Sequence, residues 1–347
     1  MVADMIGVPN KTLHPSLSHP RYSSEKDAGQ LLADDDRVFF IRAKEITLVY
    51  PEVILSLHHV INETIDGVPV AITQCRLTDS AVLYSRELGG EKVTLGSLGT
   101  VLHGNDVLYD AQTESWWTQI TGECFSGKHA GKRLSAGAGL EQGSWGRVKG
   151  LPYVNVIIPQ GEAASYRSFH EQMKSADAGL KAVQVRGKAD SRLPPFTSGL
   201  GIVVRGAARF YPLEAVERAG LIQDEVGGWG ILVLRDERLQ GYRILRTFLD
   251  GERLTFRRDG LSLRDRETGT TWNLEGDAIG GKLKGKALER PAYTGAYWFA
   301  WAAFHPESVI FPAGPGGAAE AAATAAAKDT GATDTDAKDK ATKEATQ

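Results

Sequence analysis

Three side chains carry most of the chemistry this sequence offers: His58, Cys75 and His103. Imidazole and thiolate are the ligands that zinc and copper favour. Completed by Cys124 or a carboxylate, the three could therefore hold a zinc or copper ion. The same atoms admit a second chemistry, in which Cys75 is a thiolate nucleophile activated by His58 or His103. Against both stands a plainer reading: the spacing matches no metal motif, and a lone cysteine ending a strand is an inert packing group. Asn105, Tyr109 and Gln119 complete the candidate ligand-binding set.

These residues stand out because the chain can be compared with itself. Tyr50-Pro51 returns as Tyr211-Pro212, Gly67 as Gly228 and GEKVTL (90–95) as GERLTF (251–256), all 161 residues on. After a length change, Asp110, Thr113 and Trp117 return as Asp265, Thr268 and Trp272, 155 residues on. Gly122, Gly127, Gly131 and Leu134 then return as Gly276, Gly281, Gly285 and Leu288, at a spacing of 154. Fixed spacing of this kind reads as an internal duplication. What both copies share is explained by the fold, so polar groups present in one copy mark where a site could be grafted. His58 and His59 stand opposite Ala219 and Gly220, Cys75 opposite Asp236, and Gln119 opposite Leu274. SLGTVLHGND, which contains His103, Asn105 and Asp106, stands where the second copy has only RRDGLS, and a longer Gly-rich loop is where function tends to sit.

The elements that must position these groups read mostly as strands. RVFFIRAKEITLVYP and GLGIVVRGAARFYPL are short β-branched and aromatic runs around a turn. A short helix follows Pro51 or Pro212, since proline suits a first helical turn. The later segments alternate as hairpin strands divided by Gly-containing turns. In the repeated D-x-x-T motif, Asp folds its carboxylate onto backbone N–H groups ahead of it, and the Trp lands on the return strand as a core anchor.

The expected fold class is α+β, mainly β: two tandem homologous β-rich domains with short helices. The boundaries are an N-terminal extension at 1–37, a first domain at 38–158, a helical linker at 159–198, a second domain at 199–311 and a disordered tail at 312–347. The tail is rich in Ala, Thr, Asp and Lys and carries no aromatic residue, so it cannot bury enough apolar surface to order itself.

With 40 basic and 43 acidic residues, the chain has no bulk attraction to nucleic acid or anionic membrane. No stretch has the apolar length of a membrane helix, and the first residues lack an export signal, so a cytoplasmic location is expected. Two cysteines rule out a four-thiolate zinc site. No Gly-rich phosphate loop or nucleophile elbow is present.

VYPEVILSLHHVINETIDGVPVAITQC, VLYDAQTESWWTQITGECFSGKHAGKRL and WFAWAAFHPESVIF together resemble the bacterial domain-of-unknown-function family 3179. The resemblance covers most of residues 34–311 and implies no stated activity. It implies a Cys-x-x-Cys after the strand ending in Cys75, but this chain has Thr78 at the second position. It also implies a cell-envelope location for many members, and it places His58 and Gln119 at positions of the family pattern. The leading expectation is a protein that binds a metal or small ligand through the first copy, with oligomeric state open. The alternative is a cysteine-dependent enzyme using Cys75 with His58 or His103.

Overall fold

The computed structural model describes residues 2–29, 31–159, 166, 168–173 and 190–311. The expected tail at 312–347 lies outside the described residues. So does most of the expected linker, of which 168–173 is helical.

The chain is an α+β protein made mainly of β-strands. Arg37–Ala43 and Ile46–Pro51 form an antiparallel hairpin that pairs Phe39 with Tyr50. Helix Glu52–His58 follows at once. Pro51 occupies the position just before the helix rather than inside its first turn, at φ −58°. Val60–Ile65, Val68–Cys75 and Ser80–Ser85 then make an antiparallel meander. Leu95–Leu102, Asn105–Asp110, Trp116–Thr118 and Cys124–Ser126 make a second one. Glu141–Ser144 returns to the edge of the first hairpin, and Val154–Ile157 runs parallel to Ile46–Pro51.

The same order of elements recurs from Ser198. A hairpin of Ser198–Val204 and Ala207–Pro212 leads into helix Leu213–Ala219. Three strands from Leu221 to Arg246 follow, and then a shorter meander from Phe256 to Gly280. Thr294–Tyr297 and Val309–Ile310 flank the hairpin, one antiparallel and one parallel, as in the first half. Local chemistry explains the shared turns. Asp66 and Gly67 (φ 48° and 83°) and Gly227 and Gly228 (φ 55° and 79°) take the left-handed values of a two-residue hairpin turn.

The repeated D-x-x-T hairpin behaves as its residue types dictate. The Thr113 N–H donates to Asp110 Oδ1 at 2.7 Å, and the Thr268 N–H to Asp265 Oδ1 at 2.6 Å. Trp117 and Trp272 are both fully buried and anchor separate apolar clusters.

Among the contacts that tie the halves together, two involve residues of later interest. One is a buried ionic network in which Arg243 reaches Glu141 at 2.5 Å and Asp236 at 3.2 Å, while Arg42 reaches Glu275 at 3.4 Å. The other is the longer hairpin of the first half, whose tip residues His103 and Gly104 pack on the helix Trp298–Phe304. SLGTVLHGND is therefore strand and tight turn rather than an open loop. His103 and Gly104 are its two central residues, at φ 51° and 81°.

The N-terminal residues are woven through the first half. Met5–Ile6 pairs with Leu102 and Val101, Leu17–Ser18 with Ile61 and Asn62, and Tyr22–Ser23 with Ile157 and Val156. Among the described residues, no helix is long and apolar enough to cross a membrane.

Candidate functional site

The strand Val68–Cys75 ends beside the turn of the long hairpin, and this junction gathers several of the residues singled out by sequence. Asn105 and Gln119 meet directly: Asn105 Nδ2 donates to Gln119 Oε1 at 2.8 Å, and Ser80 Oγ donates to the same oxygen at 2.7 Å. Gln119 Nε2 donates to Thr73 Oγ1 at 3.0 Å, and the Ile120 N–H to Asn105 Oδ1 at 2.9 Å. Both amides are fully buried. Their polar atoms face protein partners, which makes this network a rigid support for the strand end.

Cys75 lies next to that network, buried, and its thiol points to the Gly104 carbonyl at 3.7 Å. Burial pushes the thiol up to about 11, and the Asp106 carboxylate adds to the rise. At neutral pH this sulfur is a protonated thiol, a poor nucleophile. Both cysteines are free.

The three proposed metal ligands find different partners. His58 is held by Pro15 O at Nδ1 and by the Tyr166 hydroxyl at Nε2, each at 2.6 Å. His103 packs edge-on against Phe304, with ring centres 5.6 Å apart. Among the described residues, no group of three or more His, Cys, Asp and Glu side chains is placed to hold a metal ion. The three-ligand set His58, Cys75 and His103 is therefore not assembled in this structure. Tyr109 lies across Gly96 on the neighbouring strand, with Lys11 Nζ 4.4 Å above its ring.

The imidazole that does reach the junction is His59. Its Nδ1 lies 2.9 Å from Asp106 Oδ2, and Ser97 Oγ donates to Asp106 Oδ1 at 3.0 Å. The His14 ring stacks on it, centres 3.6 Å apart and planes within 13°. His59 holds a strained backbone, φ 58° and ψ −30°, where its counterpart Gly220 adopts φ 67° and ψ −35° at no steric cost. The sequence signal for His59 is its place opposite Gly220, whose meaning the backbone angles supply.

At the start of helix Glu52–His58 lies a cavity of about 290 Å³. Its polar wall is Asp35, Asp36, Arg37, Glu52, Arg76 and His170, and its apolar floor is Leu32, Val53 and Met173. Arg37 pairs with Glu52 and, at 2.6 Å, with Asp79. Burial pushes the Glu52 carboxyl up, but Arg37, Arg76 and Gln74 together outweigh it and hold it below the usual range. Gln74 Nε2 donates to Glu52 Oε1 at 3.0 Å, which links the cavity to the strand that ends in Cys75. Arg76 donates to the Met173 carbonyl at 2.8 Å, and His170 Nε2 faces Asp36 Oδ1 at 3.1 Å. Arg37, Glu52 and Arg76 escaped the sequence reading, although they stand opposite Ser198, Leu213 and Glu237 and so answer the same test of asymmetry.

A family model described as a protein of unknown function (DUF3179) matches residues 12–308. No curated protein and no solved structure matches the chain.

Proposed function

The chain belongs to the DUF3179 family of proteins of unknown function, and within that family we propose that it is a binding protein for a small polar molecule carrying groups of both charges. The observation that carries this reading is the cavity of about 290 Å³ beside helix Glu52–His58. Its walls bring carboxylates and guanidinium groups together over an apolar floor, the mixture that fixes the orientation of a small charged ligand. The ion pairs at Arg37 pre-arrange the wall, so little ordering is left to the ligand. The matched half has Ser198, Leu213 and Glu237 in place of Arg37, Glu52 and Arg76, so the binding reading belongs to the first half alone. We further infer that residues 38–158 and 199–311 are two domains derived from one ancestor; the shared order of hairpin, helix and meander supports this.

The test is a thermal-shift screen of the full chain with small amino acids, dicarboxylates and diamines, followed by calorimetry on any hit. Stabilisation by the zwitterions, lost in Arg76→Met, supports the reading. Failure of every class, or a shift that survives Arg76→Met and Glu52→Gln, rejects it.

A further inference from the structure

Three imidazoles gather near one carboxylate where the N-terminal segment crosses the first half. The His14 ring lies flat on His59, centres 3.6 Å apart and planes within 13°. His14 Nδ1 faces the Leu57 carbonyl at 3.2 Å, His58 Nδ1 the Pro15 carbonyl at 2.6 Å, and His59 Nδ1 the Asp106 carboxylate at 2.9 Å. Carbonyl and carboxylate oxygens only accept, so each Nδ1 carries a proton and donates it. Each ring is thus satisfied in its neutral form, and any further proton goes to Nε2. The His58 Nε2 already accepts from the Tyr166 hydroxyl at 2.6 Å.

The fold does not require this cluster. The second half turns the same corner with Ala219 and Gly220 in place of His58 and His59, and Gly220 takes the positive φ without the strain that His59 bears. In the first half, residues 7–16 lie over the corner, between the short pairings of Met5–Ile6 and Leu17–Ser18. Within that stretch the Asn10 N–H donates to the Leu98 carbonyl at 2.8 Å, and Lys11 pairs with Glu114 above the Tyr109 ring. His14 and Pro15 are held through the histidines.

We propose that the stacked His14–His59 pair is an acid-released clasp: neutral rings hold residues 7–16 down, and a proton on each ring lets that segment lift while the first half stays folded. One proton is tolerated, because Asp106 offsets it. A second places two cations face to face at the stacking distance with one carboxylate to share, and His58 adds a third like charge. Full protonation swings the cluster from one negative charge to two positive ones. Lys11 on the same segment and its partner Glu114 cancel each other. The hydrogen bonds at Nδ1 survive protonation, so the stack is what gives way. Burial is the first reason that His14 resists a proton, and the stacked His59 is the next. Lifting the segment frees the ring, so acid below the usual histidine value of about pH 6.5 favours release. Release also strips the cover that His14 gives to His59 and its buried partner Asp106.

The experiment is hydrogen–deuterium exchange of the full chain, read peptide by peptide at about pH 7.5 and about pH 5 and corrected for the unprotected rate at each. Peptides covering residues 7–16 should lose protection about tenfold or more on acidification, the effect of one pH unit of proton linkage, while those from Val60–Cys75 stay protected. His14→Phe keeps a flat ring on His59 and takes no proton, so its segment should stay protected in acid. His59→Gly copies the second half and removes the stacking partner, so residues 7–16 should be open to the same degree at both pH values. Equal protection of residues 7–16 at both pH values in the parent protein overturns the proposal, whichever variants fold. A loss spread evenly over the first half, which is unfolding and not release, also overturns it, as does His14→Phe opening with acid as the parent does.

Discussion

The indole of Trp117 donates to Asp110 Oδ2 at 3.0 Å, closing a hairpin in which the same carboxylate accepts the Thr113 N–H and hydroxyl. Trp272 repeats the bond to Asp265 Oδ2 at 2.8 Å. Each Trp is thus both core anchor and the donor that satisfies a buried carboxylate.

Replacing Trp117 by Phe keeps most of the apolar bulk but leaves Asp110 one donor short. The expected loss is about 1–3 kcal/mol, the range for an unsatisfied buried group. Trp272→Phe should cost a similar amount. Urea unfolding of both variants measures it. A loss confined to one half would show that the two bonds are not equivalent.

Asp265 makes an acid prediction. Burial raises its carboxyl, but the Trp272 indole, Thr268 and Thr270 together outweigh burial and hold it below the usual carboxylate range. A carboxyl depressed on folding stabilises the protein above its unfolded value, and that gain is lost as pH falls through the folded value. Unfolding free energy should therefore drop below about pH 4, and Asp265→Asn should flatten that part of the curve while lowering stability at neutral pH. An unchanged acid slope in the variant would contradict the assignment.

Histidines set a second, milder acid limit. Burial lowers His14, with the stacked His59 next in effect and His58 adding to it, against Leu57 O and Asp106, which raise it. Burial also lowers His58, and it pushes His305 down to about 4. Because the unfolded chain takes up these protons first, stability should decline from about pH 6.5 downward. His14→Phe keeps the stack and removes one titrating ring, so its decline between pH 6.5 and 5 should be shallower than the parent's. Denaturant midpoints across that range are the measurement. Parallel curves would remove His14 from the account.

Arg243 tests the join between the halves. Its side chain is 5% exposed and meets Glu141, from the first half, and Asp236. Removing one member of a buried ionic group strands the others, at about 3–5 kcal/mol. Arg243→Ala should lose that much, and adding Glu141→Gln should cost less than the sum of the single changes. Strict additivity would mean that the two side chains do not interact.

Much of this architecture was legible because apolar and turn residues repeat at fixed spacing. Tyr50 and Tyr211 mark the same strand end, and Asp110 and Asp265 open the same turn. Asn105 and Gln119, both singled out by the asymmetry of the halves, meet in one buried network. What escaped was set by geometry that sequence spacing does not carry. Of two adjacent histidines, His58 faces the N-terminal residues and Tyr166, while a left-handed backbone turns His59 towards Asp106. Arg37, Glu52 and Arg76 were passed over because their partners lie on other elements.

The threading of residues 5–23 through three sheets also sets an order of events. Those strands can pair only after residues 61–62, 101–102 and 156–157 exist. Contacts of such high sequence separation form late and slow the search. During synthesis residues 5–23 therefore wait for partners 44 to 135 positions further on, with open sheet edges exposed meanwhile. Residues 5–23 are thus made before the strands that hold them, the stage at which a chaperone has most to protect.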